Sequence, residues 1–205
     1  MPAAMRAEVS AELPAGVRRF AVDALQAEPW RNGAGLTRTV WPHAVDGRDL
    51  WRVSVADLPE PAAFSCFPGR VRRSVLLRGP GLVLGAQGAS WSFPQVGSVA
   101  AYPGELPILA QPPQGGSRLL NVMADRARVT PLLQVDDGPA SGLRLPLPSI
   151  LMVLSGEADI GPAGAAWGTF GAEQGLVLEA GLPGPLSIES RARPLVWALI
   201  SFQMS

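Results

Sequence analysis

Residues 74–110 read SVLLRGPGLVLGAQGASWSFPQVGSVAAYPGELPILA. An apolar run, Leu76-Leu77, stops at Gly79. A glycine-rich stretch leads to Trp91, and then come Phe93, Gly97, a short apolar run and Gly104. Residues 151–188, LMVLSGEADIGPAGAAWGTFGAEQGLVLEAGLPGPLSI, follow the same plan, with Gly156, Trp167, Phe170, Gly175 and Gly181 in the matching places. Gly79, Trp91, Gly97 and Gly104 each have a counterpart 76–78 residues later. A near-constant offset over four landmarks argues for two copies of one β unit. The competing reading is chance alignment in a glycine-rich chain.

Outward from the two copies, turn signals recur every several residues, among them Asn32-Gly33, Asp46-Gly47, Pro103-Gly104, Gly115-Gly116 and Pro183-Gly184. Few segments hold a 3.6-residue period over three turns. Residues 50–56 instead alternate, with Trp51, Val53 and Val55 on one face and Arg52, Ser54 and Ala56 on the other. Residues 71–77, 119–123, 149–154, 175–178 and 195–202 are further predicted strands. Many short strands between regular turns predict an all-β fold. Residues 111–118 and 136–149, rich in Pro, Gly and Ser, read as loops. The expected organisation is a loose tail over 1–16, a first unit over 17–125 and a second over 126–205.

Composition narrows the function. All 17 basic residues are arginine, balanced by 17 acidic ones. A neutral chain without lysine lacks the basic surface that binds phosphate backbones, so nucleic acid is not an expected partner. One cysteine makes no internal disulfide, and one histidine supplies no histidine-rich metal site. No apolar run approaches the eighteen or so residues of a membrane span, and residues 1–13 lack the apolar core of a signal peptide. A cytoplasmic globular protein without membrane, metal or cofactor is the expectation.

The repeated unit resembles half of a cupin, a small jelly-roll barrel. Gly97 to Pro103 fits the glycine-to-proline spacing of the second cupin motif. The histidines that bind metal in both motifs are missing from both halves. The resemblance implies a bicupin, two jelly-roll β-barrels packed together, with the metal site absent.

A second resemblance is more specific. Trp30-Arg31-Asn32-Gly33-Ala34-Gly35-Leu36-Thr37-Arg38 resembles the WKNGGGxTR-like signature of the HutD/Ves family, with Arg31 for lysine and Ala34 for the middle glycine. Residues 51–57, WRVSVAD, resemble its WRvSiAd strand. Phe64-Ser65, Phe67-Pro68-Gly69 and Gly79 match its FSxFPG…LLxG block, and Asn121-Val122-Met123 its NxM block. The order holds across roughly residues 20–130. Two positions depart from the pattern. Val71 stands where the family usually has Asp before Arg72, and Leu119 where it usually has Asp before Asn121. The resemblance implies a small-molecule-binding modulator tied to histidine utilisation, with a ligand such as formylglutamate or urocanate.

Each candidate residue has a functional and a bland reading. Around Trp30, Asn32 is a ligand contact or a hairpin-turn residue, and Thr37 and Arg38 open a strand. Arg38 inside a barrel would need a carboxylate or an anionic ligand, which a guanidinium grips bidentately. Arg52 and Ser54 line a pocket or form the wet face of a half-buried strand. Ser65 and Arg72 flank a corner built on Phe64 and Phe67, where Arg72 adds a second positive charge or lies outside. Asn121, within an apolar strand, needs a partner if buried. His43 reads as a surface residue in a Trp41-Pro42-His43 turn, and Cys66 as inert.

Three functions follow. The first is a metal-free binding protein for a small anionic metabolite, a carboxylate. The second is a cofactor-independent isomerase or hydrolase, with Asp57 or His43 as weak candidates for the base it would need. The third is an interaction module with a vestigial pocket. Cupin resemblance adds the expectation of a homodimer paired through sheet edges.

Overall fold

Trp51, Val53 and Val55 leave their strand on one side and Arg52, Ser54 and Ala56 on the other; the architecture follows from what covers each side. A computed structural model describes residues 12–30, 33–182 and 184–205. Residues 1–11 of the predicted tail, Arg31 and Asn32 of the family signature, and Pro183 of one predicted turn lie outside the described residues.

The first half carries β1 (Val17–Ala21), β2 (Ala27–Pro29), β3 (Leu36–Val45), β4 (Arg48–Leu58), β5 (Ala62–Ala63) and β6 (Arg70–Arg78). It continues through β7 (Leu82–Ala86), β8 (Ala89–Phe93), β9 (Val99–Pro103), β10 (Leu109–Gln111) and β11 (Ser117–Asp125). The second half carries β12 (Val129–Asp137), β13 (Ala140–Leu143), β14 (Ser149–Pro162), β15 (Gly168–Gly171), β16 (Gln174–Leu178) and β17 (Leu186–Met204). Among the described residues the only helical turn is a 3-10 helix, Val22–Ala24, so the chain is all-β. No helix there is long and apolar enough to cross a membrane.

The strands form three antiparallel sheets, ordered β2-β3-β4-β11-β6-β9, β5-β10-β7-β8, and β1-β16-β14-β17-β12 with β13 beside β17 and β15 beside β14. These orders are open paths. β1, from the start of the chain, pairs with β16 and so belongs to the second half's sheet.

The pairing pattern repeats. In the first half β6 pairs with β9 and β11, while β7 pairs with β8 and β10. In the second half two long strands play both parts. Ser149–Met152 of β14 lie beside β16, and its Glu157–Ile160 lie beside β15. Register breaks around Ser155 mark the corner. Gly156 turns it at φ +80°, where a Cβ would sit 2.6 Å from the carbonyl oxygens of Ala192 and Pro194. Gly79 holds the equivalent corner at φ +111°, where a Cβ would sit 2.7 Å from the Gly116 carbonyl oxygen. The glycine that ends each predicted opening strand is thus required by backbone direction and close approach.

Three apolar layers result. Trp51, Val53, Val55, Leu120 and Val122 meet Ile150, Met152, Ile200 and Phe202 of the second half. Trp51 stacks on Phe202 at 4.3 Å between ring centroids, and Trp41 meets both edge-on. Leu76 and Leu119, on the opposite face of the six-stranded sheet, meet Leu82, Leu84, Phe93 and Ala110 of the four-stranded one. Trp167, Phe170 and Leu176 anchor a third layer within the second half, and Leu13 of the tail packs on it. Trp91 and Trp167, equivalent in the repeat, pack on equivalent layers.

Two local expectations need correction. Residues 136–149 contain β13, whose Ala140 lies opposite Ile188 through an irregular register that the Gly- and Pro-rich sequence conceals. His43 lies inside β3, stacked on Trp51 at 3.9 Å, because the chain turns later, at Asp46 (φ 50°) and Gly47 (φ 73°).

Candidate functional site

The face of β4 that carries Arg52, Ser54 and Ala56 looks into a cavity of about 650 Å³ between the six-stranded sheet and the segment around Phe64. Cross-strand register explains the lining. One row runs Ser54, Asn121, Ser74 and Ala100 across β4, β11, β6 and β9; the next runs Arg52, Met123, Arg72 and Tyr102. Side chains two apart on a strand share a face, so both rows look the same way. Trp30, Thr37 and Glu28 line the side formed by β2 and β3, while Phe64, Ser65 and Phe67 close the other.

The second half has the same rows without the chemistry. Leu132, Ser201, Ser149 and Leu178 occupy the places of Arg52, Met123, Arg72 and Tyr102; Gln134, Leu199, Leu151 and Leu176 occupy those of Ser54, Asn121, Ser74 and Ala100. Among the described residues the charged version belongs to the first half alone.

Arg72 is the deepest charge in the cavity, 7% exposed. Its guanidinium lies 5.2 Å from the Phe64 ring centroid and 5.1 Å from that of Phe67. One Nη donates to the Ser65 carbonyl oxygen at 3.4 Å, while the buried Nε has no acceptor among the described residues. Burial pulls its pKa below the usual arginine value, opposed by the neighbouring Tyr102. Burial likewise pushes the Tyr102 phenol up, opposed by its hydrogen bond with Ser74 and by Arg72. Arg52 lies 5.9 Å from the Phe67 centroid on the exposed side. Neither arginine makes an ion pair with a described carboxylate.

Polar groups around them are held in place. The Ser74 hydroxyl donates to Asn121 Oδ1 at 2.9 Å, which leaves Tyr102 to donate to Ser74 Oγ at 2.8 Å. With its oxygen engaged, Asn121 presents only its amide N–H groups as free chemistry. Its Nδ2 reaches the Leu119 carbonyl oxygen at 3.4 Å, so one N–H remains for the cavity. Trp30 Nε1 donates to Thr37 Oγ1 at 2.7 Å, and the Trp30 ring meets Phe64 edge-on at 5.6 Å. Gly35 lets this indole lie flat on the backbone, since a Cβ there would sit 3.2 Å from its ring and 2.8 Å from the Asp57 carbonyl oxygen.

Trp30, Thr37, Arg52, Ser54, Ser65, Arg72 and Asn121 are therefore brought to one cavity. Asn32 lies outside the described residues. Arg38 is not brought there: strand alternation sends it to the opposite face from Thr37. Its Nη1 donates to Asp57 in a partly buried ion network that also joins Arg118 to Asp57 (2.5 Å), Glu173 (2.5 Å) and Asp23 (2.7 Å). Burial opposes the Arg118 charge, but those three carboxylates hold its pKa above the usual arginine value. Glu28, Ser74 and Tyr102 escaped sequence reasoning. Ser74 was within reach of strand alternation, two residues after Arg72, whereas Tyr102 is brought in by cross-strand register that the sequence does not show and Glu28 carries no motif signal.

The two departures from the family pattern have unequal consequences. Leu119 is fully buried on the cavity-side face, against Ala56 and Leu76, whereas Val71 packs towards the layer between the halves. Only an acid at 119 would share a face with the cavity.

A cupin-type metal centre does not fit these residues. The lining offers one carboxylate, Glu28, against two guanidiniums, and His43 stacks on Trp51 elsewhere. Among the described residues no three His, Cys, Asp or Glu side chains converge to hold a metal ion.

Comparison with known proteins places this geometry in context. The HutD family model matches residues 22–195, well beyond the four sequence blocks. A protein of Pseudomonas putida, described as an uncharacterized 21.2 kDa protein in the hutC 3′ region, is 30% identical over 176 residues, covering 84% of this chain and 92% of the relative. A conserved protein of unknown function from Pseudomonas aeruginosa PAO1 superposes with a TM-score of 0.79 at 24% identity, over 91% of this chain and 98% of that one. HutD from Pseudomonas fluorescens SBW25 gives 0.77 at 23%, over 92% and 99%. An oxalate decarboxylase of Bacillus subtilis, a cupin-type protein, gives 0.58 at 11%, over 94% and 79%.

Proposed function

Because this chain belongs to the HutD family, we propose that it is a cytoplasmic, metal-free binding protein for a small carboxylate, acting in histidine or related amino-acid catabolism. On this reading the two halves descend from jelly-roll barrels of a bicupin, and only the first has kept a polar cup. The observation that carries the reading is Arg72: a guanidinium 7% exposed, with no carboxylate partner among the described residues and an orphaned Nε, beside a cavity. A buried charge without a counter-ion is costly, and a ligand carboxylate would supply one. Arg52 adds a second cation near the exposed side. Asn121 offers an amide donor whose direction is set by Ser74 and Tyr102.

The enzyme reading has less support. Asp57 is engaged by Arg38 and Arg118, and neither it nor His43 lines the cavity. The test is a thermal-shift series with histidine-pathway intermediates and simple mono- and dicarboxylates. A ligand that binds the folded form raises its melting temperature. At least one carboxylate should do so in the wild type and fail to in Arg52→Ala. No shift with any carboxylate at millimolar concentration would overturn the proposal.

A further inference from the structure

We infer that the ligand of this cavity also carries an ammonium group, opposite its carboxylate and facing Glu28; the inference rests on the carboxylate-binding reading above. Glu28 is the one acidic residue in the lining, exposed on β2 opposite Thr37, and it makes no ion pair with a described residue. The cavity is therefore polarised, with Arg52 and Arg72 at one end and Glu28 at the other. A carboxylate beside Glu28 would be repelled, and an unpaired Glu28 oxygen is an acceptor for an N–H donor.

The register sets the span. Glu28 pairs with Thr37, and Thr37 with Ala56, four residues from Arg52 along β4. Two strand spacings by four residues is about 16 Å between Cα atoms on a flat sheet, before the two side chains reach inward. The remaining gap suits a short extended molecule several bonds long with unlike ends. The lining carries a net charge of one positive unit from two arginines and one glutamate. That balance matches an amino-acid-like monoanion or zwitterion better than a plain dicarboxylate.

Two matched pairs test this by calorimetric titration: L-glutamate against glutarate, and 5-aminopentanoate against pentanoate. In the wild type the nitrogen-bearing member of at least one pair should bind at least ten-fold tighter. Glu28→Ala and Glu28→Gln should cut that preference to two-fold or less for an ammonium ligand, with affinity for glutarate or pentanoate unchanged or improved. Both variants alter an exposed side chain on an edge strand, so folding is retained. Equal binding within both pairs overturns this inference and leaves the carboxylate site standing. Equal weakening of amine-bearing and amine-free ligands in Glu28→Ala also overturns it. Binding of none of the four, with no carboxylate detected in the wider series, removes both readings together.

Discussion

Truncating Arg52 and truncating Arg72 have different expected consequences, because one side chain is wet and the other is wedged between two phenyl rings. Arg52→Ala removes an exposed cation, so stability should change by no more than about 0.5 kcal/mol. Carboxylate affinity should still fall at least ten-fold. Arg72→Ala also deletes buried packing, so Arg72→Lys is the sharper probe. It keeps the charge but loses the two-pronged donor geometry, so the fold should survive while affinity falls. An Arg72→Lys variant that binds as well as the wild type would show that the fork plays no part. Tyr102 makes a further probe: Tyr102→Phe releases Ser74 and loosens the Asn121 amide, and a several-fold loss of affinity is expected by titration. Some of these roles were legible in the sequence. Alternation over 50–56 placed Arg52 and Ser54 on one face. The same alternation, applied to Thr37-Arg38, would have separated those two residues, since neighbours on a strand cannot both enter one cavity. Glu28 was illegible, because nothing local says that β2 reaches the rim.

At the scale of elements, the contact between Trp30 and Gly35 holds one wall of the cup, while the Gly79 and Gly156 corners turn the strands of the two halves. Gly35→Ala forces a Cβ against the Asp57 carbonyl and the Trp30 ring. A cost of about 1–3 kcal/mol is expected from the overpacking, with Trp30 displaced from Thr37 and ligand affinity reduced. Urea denaturation and titration of the same variant read both effects; unchanged affinity would detach Trp30 from the site. The corner glycines were visible as strand-ending residues in both repeats. That the second half runs straight through its corners as two long strands was not visible, because Ser155-Gly156-Glu157 reads as a break while register shifts between Val153 and Ala158 carry the pairing through it. β13 was hidden for a related reason: two of its four residues face outward and its composition is that of a loop.

For the whole molecule, the ion network around Arg118 joins the halves where sequence reading expected a ligand-facing Arg38. Glu173 comes from the second half, 4% exposed and at φ 63°. Glu173→Gln keeps its shape and removes its charge. Arg118 retains Asp57 and Asp23, and Arg78, which also donates to Glu173 at 2.9 Å, is exposed to water, so the expected loss is about 1.5–3 kcal/mol, dominated by the buried Arg118 hydrogen bond rather than by a stranded ion. Acid should weaken the fold by the same physics. The Arg118 hydrogen bond holds the Asp23 carboxyl below its usual 3.8. Burial raises Asp159, but Arg191 and Thr169 outweigh it and its pKa is also lowered. Carboxyls lowered by folding stabilise the native state fully above about pH 5, and that contribution fades as the pH falls through 3.8 towards the folded values. Asp159→Asn should lower stability at pH 7 and flatten the acid limb of a urea-midpoint profile; an unchanged limb would remove Asp159 from the account.

The duplicated pairing and the single charged cup meet in one quantity, the number of carboxylate sites per chain. Calorimetric titration of the wild type with its best carboxylate, repeated on Arg52→Ala and Arg72→Lys, measures it directly. The expected result is one site per chain in the wild type, with affinity lost at least ten-fold in both variants. Two equivalent sites per chain, or one site indifferent to both arginines, would contradict the assignment of function to the first-half cavity.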